Sequence, residues 1–289
     1  MPFLHLGTSQ VQPIEPVVNA LWIGAALEDW HAACLRSFTM AGHRVLLHCY
    51  DVPRNVPPEV EVFDASALMP RERIVYYRSN GSPSLFSNLY RLKILEAGMG
   101  LYVDCDVFCL KPIPRQDYIF GHQTNLELNG AVLKLPQGSR MLEEALKMTD
   151  DPYYIAPWLS REKRLWYRSR KAIGLPIHIS RYDWGQLGPR AITYLAKATG
   201  MMRHAAPIDV FYPVLHTQIT MLLDPALSLT DIGNTSHAVH PSVRSDPQEV
   251  DERASDPGNV AAWPNARPLR PAGPDQRHCG ASQSLSRDS

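Results

Sequence analysis

The sequence lacks the features by which several broad classes of protein are recognised. It has no net charge, Lys and Arg together matching Asp and Glu at 29 each. Nothing in the field of the whole chain therefore draws it to nucleic acid or to acidic membranes, and no nucleic-acid partner is expected. It has no long apolar run: the longest, Ala20 to Leu27, is broken by Gly24 and is far too short to span a bilayer. Met1 to Pro13 carries neither Lys nor Arg and no sustained apolar stretch, which does not fit a signal peptide. The five cysteines are odd in number and form no C-x-x-C pair, which argues against a disulfide framework in a chain of this length. Cys34, Cys49, Cys105 and Cys109 sit among apolar residues, as small buried thiols do. No internal repeat is evident. The absences together point to a reducing compartment and a protein that is soluble, or at most peripheral at the inner face of a membrane.

What remains is an ordinary globular composition, 45% apolar and 20% charged over 289 residues, enough for a substantial core. Val17 to Ile23 is a short apolar run closed by Gly24, which suits a buried strand. Glu28 to Ala41 has helical spacing, with Trp30, Cys34 and Phe38 four apart, and His43 to Tyr50 is apolar again. Strand, helix, strand within about thirty residues is the pattern of a βαβ unit and a parallel sheet. Val60 to Phe63 alternates like a strand, and Leu128 to Leu135 reads as another. Ser84 to Ala97 reads as a helix with Ser84 as N-cap and Gly98 as stop. Its apolar stripe is Leu85, Leu89 and Leu92, with Ser84, Asn88 and Arg91 on a polar stripe beside it. Further helices are expected over Arg140 to Met148, Ser160 to Ile173 and Ala191 to Ala198. From Pro241 the character changes: the final 49 residues hold seven prolines, five Ile, Leu, Val, Phe or Met, and no lysine. Such a segment buries too little apolar surface to offset its ordering entropy. The expected organisation is an N-terminal extension over 1–16, one folded domain over 17–240 and a disordered tail over 241–289.

Leu101 to Val103 is a buried strand running directly into Asp104-Cys105-Asp106. In open α/β sheets, ligands bind beyond the carboxyl ends of the strands. Two carboxylates one residue apart can meet one ligand where the chain turns, and hard cations such as Mn²⁺ or Mg²⁺ take one or two carboxylates plus phosphate oxygens. An acidic turn in solvent uses the same two residues, so the motif by itself decides little.

Its setting decides more. Ser87-Asn88-Leu89-Tyr90-Arg91, then Gly98 to Val107, then Leu110-Lys111-Pro112 resembles the D-x-D sugar-transferase family. That family includes bacterial polysaccharide-synthesis enzymes, Golgi mannosyl- and galactosyltransferases and the glucosylating domain of large bacterial toxins. Leu21-Trp22-Ile23-Gly24 is similar to the family's W-I-G element. Asn129-Gly130-Ala131, Trp184 to Pro189, Phe211-Tyr212-Pro213 and the strand into His240 fit further along. The resemblance covers about residues 17 to 240. It implies a GT-A-like α/β fold: a single Rossmann-like domain with a mixed, mainly parallel sheet flanked by helices. It also implies a nucleotide-sugar donor, with a UDP-hexose the first choice, transfer with retention, and a saccharide or glycolipid acceptor. The family spans secretory and cytosolic members, so it is the missing signal or anchor that leads to the expectation of a bacterial cytoplasm, with a cell-surface polysaccharide as the product. By analogy, Trp22 stacks on the base with Ile23 and Ser87 nearby, and Asp106 binds Mn²⁺ (or Mg²⁺). Asp104 touches ribose or metal, and His240 is a third ligand. Arg91 and Asn88 hold the donor sugar with Tyr102 in support, and Asn129 and Trp184 complete the donor site.

The chain departs from the family in three places. Asn88 stands where an Asp is usual, Met99 replaces the first of two glycines, and Pro241-Ser242 follows His240 where H-L-W is usual. The first and third motivate an alternative, a nucleotide-sugar-binding relative that does not catalyse. A phosphatase of the haloacid-dehalogenase type also places D-x-D after a strand, with Asp150-Asp151 as its later acidic pair. It wants Thr or Val where Phe108 stands, however, and normally uses the first strand. The cluster Arg161, Lys163, Arg164, Arg168, Arg170 and Lys171, with Trp158, Trp166 and Tyr167 interleaved, reads either as a solvated helical face or as a peripheral patch for a lipid acceptor. Trp158, Leu165 and Trp166 are its expected anchors. The opposite face is not uniformly apolar, which favours the solvated reading.

Overall fold

The computed structural model describes residues 14–214 and 235–240. The extension over 1–13, the tail over 241–289 with the departure at Pro241, and Cys279 lie outside the described residues. The chain begins with β1 (Ile14–Trp22), α1 (Asp29–Met40), β2 (His43–Cys49) and β3 (Glu61–Asp64). It continues through α2 (Ser84–Glu96), β4 (Leu101–Val103), β5 (Phe108–Cys109), β6 (Ile119–His122) and β7 (Leu128–Lys134). It ends with α3 (Arg140–Asp150), α4 (Arg161–Ala172), α5 (Pro189–Ala198), α6 (Ile208–Phe211) and β8 (Ala238–Val239).

The main sheet has six strands in the order β3-β2-β1-β4-β7-β6. β3, β2, β1 and β4 are parallel, β7 runs antiparallel to β4, and β6 pairs antiparallel with β7. This is the mixed, mainly parallel α/β sheet that the sequence predicts, consistent with a GT-A-like fold. The order reverses between β1 and β4, because the chain winds outward through β2 and β3 and then returns to the other side of β1. Such a switch point opens a crevice at the carboxyl ends of the two flanking strands. Those ends are Trp22 and Val103, the latter followed immediately by Asp104.

α2 packs between two apolar clusters. Leu85, Leu89, Leu92 and Leu95 face one with α3 and α5, while Phe86, Tyr90 and Ile94 face the other with Leu21 and Tyr102. Each such side chain contributes about 1.5–3 kcal/mol when fully buried. The helix is thus buried nearly all round, and Asn88 and Arg91, expected on a polar edge, lie inside with it. Its expected N-cap is corrected: the cap position is Pro83 with no side-chain hydrogen bond, and Ser84 is the first helical residue. The Ser84 hydroxyl instead accepts from Trp184 and meets the hydroxyl of Ser82. Gly98 stops the helix with φ +67, as expected. Gly100 has φ +115, and a Cβ there would lie 2.4 Å from the Val17 carbonyl oxygen, so only glycine lets the turn pass β1 this closely. Met99 has no positive φ, which explains why it is tolerated between them.

Cys34, Cys49, Cys105 and Cys109 are buried and unpaired, as expected. Two strands were not readable in the sequence, β5 and β6, whereas the strand expected into His240 is present as β8; β5 and β8 form a separate antiparallel ribbon, with Phe108 opposite Val239 and Cys109 opposite Ala238. Ser37 on α1 anchors this ribbon by accepting from the Cys109 amide at 2.8 Å.

Candidate functional site

β4 ends at the switch point because Asp104 leaves the strand while its amide still donates to the Ala131 carbonyl of β7 at 2.8 Å. The Asp104 side chain is held firmly. Its Oδ1 accepts from the Tyr102 hydroxyl at 2.7 Å and from Arg91 Nη2 at 3.0 Å. Arg91 Nε donates back to the Ser87 carbonyl one turn earlier at 3.2 Å, and the guanidinium lies 4.6 Å from the Tyr102 ring centroid. β7 carries Gly130 beside it, where a Cβ would stand 2.7 Å from Nη1 and make the guanidinium shift. Burial pushes the Tyr102 phenol well above its ordinary pKa, and the Asp104 carboxylate raises it further, so the hydroxyl remains a donor. The other carboxylate oxygen of Asp104 takes part in none of these bonds.

Asp106 is in a different state. Its Oδ1 is shielded from solvent yet makes no hydrogen bond of acceptable geometry among the described residues. The nearest positive group is His240 Nε2 at 3.3 Å. His240 arrives there through the β5–β8 ribbon, whose antiparallel register carries it back past Val107. Tyr212 packs edge-on against the His240 ring at 5.9 Å. Burial alone would lower the His240 pKa, but the Asp106 carboxylate outweighs it and the imidazole stands above its ordinary value. Burial alone would likewise raise Asp106, and the imidazole reverses that, leaving the carboxyl below its ordinary value.

Asp104, Asp106 and His240 each bring one ligand atom within 4.8 Å of the others. Around an octahedral ion bonded at about 2.1 Å, adjacent ligands stand about 3 Å apart and opposite ones about 4.2 Å, so the three groups would draw closer around an ion. Two carboxylates with one imidazole form a donor set suited to a divalent cation. The Oδ1 of Asp106 is the observation that makes the set fit one: it is shielded from solvent, and among the described residues only the 3.3 Å approach of His240 Nε2 offsets the cost of burying it.

Beside this cluster, a cleft of about 280 Å³ opens between Trp22, Ile23, Gly24, Tyr50, Asp51, Arg71, Ile74 and Tyr76. Trp22 is half-buried: it packs against the core under β1 and β2 and also walls the cleft. Its indole Nε1 makes no hydrogen bond among the described residues, and Gly24 lies against it, with 3.0 Å between that nitrogen and an added Cβ. The core and ligand-platform readings of Trp22 therefore both describe part of its surface. His31 was not singled out in the sequence. Its ring lies 4.6 Å from Trp22 and 3.8 Å from Trp30; burial lowers its pKa, partly opposed by Glu28 and Asp106. Only its aromatic neighbours on the helix hint at this in the sequence.

The remaining expected residues fall into distinct settings. Asn88 is buried, its amide against Gly188, where a Cβ would be 3.0 Å from Oδ1. Ser87 offers its carbonyl to Arg91. Asn129 is fully engaged internally, donating to Gln123 Oε1 at 2.8 Å and accepting from the Ala131 amide at 2.8 Å. Trp184 is half exposed, and its indole donates to Ser84 Oγ at 3.2 Å. Asp150 pairs with Lys93 and Asp151 with Lys171, so the later acidic pair of a phosphatase does not join this site. No described helix is long and apolar enough to cross a membrane.

No family description matches this sequence, and no curated protein matches it. Among solved structures the chain is similar to one titled PaToxG Glycosyltransferase, at 12% identity and a TM-score of 0.43, over 65% of this chain and 70% of that one. No residue role rests on so distant a likeness.

Proposed function

We propose that this chain is a metal-dependent glycosyltransferase that moves a hexose from a nucleotide sugar, UDP-linked in the first instance, to a saccharide or glycolipid acceptor. The observation that carries the reading is the convergence of Asp104, Asp106 and His240 at the switch point, beside the aromatic cleft at the end of β1. A nucleoside diphosphate has the matching parts, a flat base for the cleft and an anionic diphosphate for the cluster. Mn²⁺ (or Mg²⁺) held by the three residues would neutralise the charge that grows on the diphosphate as the sugar–phosphate bond breaks, worth several kcal/mol.

The chain's own groups have separate tasks in this scheme. Trp22 and Ile23 form the wall for the base. Arg91 and Tyr102 fix Asp104, leaving its second oxygen for ribose or metal, so that the carboxylate is pre-set and need not reorganise. Asn88 and Trp184, which both lie near the start of α2, are groups that the sequence resemblance assigns to the donor site. The sequence resemblance supports retention.

The test is donor hydrolysis and binding across UDP- and GDP-sugars, with Mn²⁺ and with a chelator. Metal-dependent turnover of one donor establishes the activity and names the sugar. Asn88, buried where a carboxylate is usual in the resembled family, supports a second reading: a nucleotide-sugar binder without turnover. Metal-dependent binding with no hydrolysis, even with saccharide acceptors present, and hydrolysis regained in Asn88→Asp would favour it. No metal-dependent binding of any donor would overturn both.

A further inference from the structure

α4 carries six cations and a single carboxylate, Glu162, in a chain whose net charge is zero. Two of the six are neutralised, Lys163 by Asp183 and Lys171 by Asp151. The four arginines, Arg161, Arg164, Arg168 and Arg170, form no salt bridge among the described residues. Arg161, Arg164 and Arg168 stand three and four residues apart, so they share one stripe of the helix. With Glu162 and Leu165 they line a concavity of about 520 Å³.

The apolar residues of this helix are turned the wrong way for a solvated face. Tyr167 is its only buried residue. Leu165 is 69% exposed, Trp166 52%, Ile173 70% and Leu175 52%. Leu165, Ser169, Ala172 and Ile173 follow the four-, seven- and eight-residue spacing of one helical side, opposite Tyr167. The helix stops at Gly174 with φ +75, and the Leu175 amide returns to the Arg170 carbonyl at 2.9 Å. That cap normally tucks its second apolar residue against the helix, but here Leu175 is left outside beside Ile173. Trp166 is steadied in the open by the Arg170 guanidinium, 5.7 Å from its ring centroid.

We infer that α4 is a docking helix for an anionic lipid surface. Leu165, Trp166, Ile173 and Leu175 enter the boundary between headgroups and acyl chains, and the arginine stripe meets the phosphates. The charge argues for this occupant: a second copy would oppose arginines to arginines, whereas a helix with Trp and Leu outward and Arg along its flank suits an interfacial position. The helix is also tied to the donor side of the molecule. Lys163 bridges at 2.9 Å to Asp183, and the next residue, Trp184, bonds Ser84 at the start of α2. A surface held by α4 would therefore lie near the end of α2 that borders the proposed donor site. The docking itself does not depend on the metal site.

The test is co-sedimentation of the full chain with vesicles of phosphatidylcholine alone and of phosphatidylcholine with phosphatidylglycerol. The expected result is preferential binding to the anionic vesicles, weakening with salt. R161Q/R164Q/R168Q should lower that binding on the order of a hundredfold, from the effect of three cations near a charged surface. Leu165→Ser with Trp166→Ser should weaken it while leaving Mn²⁺-dependent UDP binding intact, which also shows that the variant is folded. Equal binding to both vesicle types, or no loss in either variant, would overturn the inference. So would abolition of vesicle binding by inorganic phosphate at matched ionic strength, since the arginines would then form a discrete phosphate pocket. Selective binding of the wild-type chain to a soluble acidic polypeptide, with none to anionic vesicles, would also overturn it.

Discussion

Asp104 and Asp106 are two residues apart at the end of one strand, yet their surroundings are opposite. Asp104 is finished: Arg91 from α2, Tyr102 from β4 and the Ala131 carbonyl from β7 fix its side chain and backbone. Asp106 is unfinished: one oxygen is shielded and makes no well-formed hydrogen bond among the described residues, where its close cation is His240, just past β8 and far away in the sequence. The first carboxylate is positioned by the protein. The second is left with bonding capacity that the protein does not use, as a ligand-binding group should be. The contrast assigns rigidity to one and metal binding to the other, and it can be broken by substituting each side separately.

The largest expected effect is on activity. Asp106→Asn keeps the size of the side chain but halves its ligand capacity and removes its charge, so metal-dependent donor turnover should fall about a thousandfold or more. Steady-state hydrolysis with saturating Mn²⁺ measures this, and near wild-type turnover would place the metal elsewhere. The next effect is on stability. Arg91→Ala strands a partly buried Asp104, and breaking such pairs costs about 3–5 kcal/mol when both partners are fully buried. Asp104 keeps 26% of its side-chain exposure, so about 2–3 kcal/mol is expected from the urea midpoint. A change as small as that of a surface arginine would contradict the account of Asp104.

Trp22→Ala sharpens the comparison on the donor side. If the ring receives the base, nucleotide affinity should fall by about 1–3 kcal/mol, read from UDP titration. A loss of folding stability with unchanged affinity would leave Trp22 as core. The smallest effect is on pH dependence. A raised His240 pKa means that the imidazole is protonated, and unable to bind metal, to a higher pH than the ordinary value of 6.5. Mn²⁺ affinity should therefore rise with pH through the raised pKa, by up to about tenfold per unit where one proton is displaced. The metal-free protein behaves oppositely. The stability from the His240–Asp106 pair is fully present below the unfolded histidine pKa and is lost as pH rises through the folded one. His240→Gln should flatten both trends, and a retained slope would implicate another group.

Much of this fold was legible because its central pieces are local and strongly apolar. β1, β2 and β4 are short buried runs, and α2 announces itself by its leucine spacing. β5 and β6 were not legible: strands of two and four residues carry little periodicity, and Phe108 meets Val239 only through tertiary packing; the strand into His240 came from the family resemblance alone. Ser84 misled because capping propensity was overridden by Pro83 and by the Trp184 bond. Trp166 and Leu165, read as anchors, lie outside because Tyr167 alone takes the inward position on α4. In the site, Asp104 and Asp106 were visible as a motif, but their division of labour was not. It depends on Gly130 making room for Arg91 and on the register that delivers His240, neither of which is written in local spacing.

The most direct test of the central claim is calorimetric titration of Mn²⁺ into the intact chain, with and without UDP, for the wild type and Asp106→Asn. The account predicts Mn²⁺ binding that tightens when UDP is present and that disappears in the variant. Unchanged Mn²⁺ binding in Asp106→Asn would contradict it.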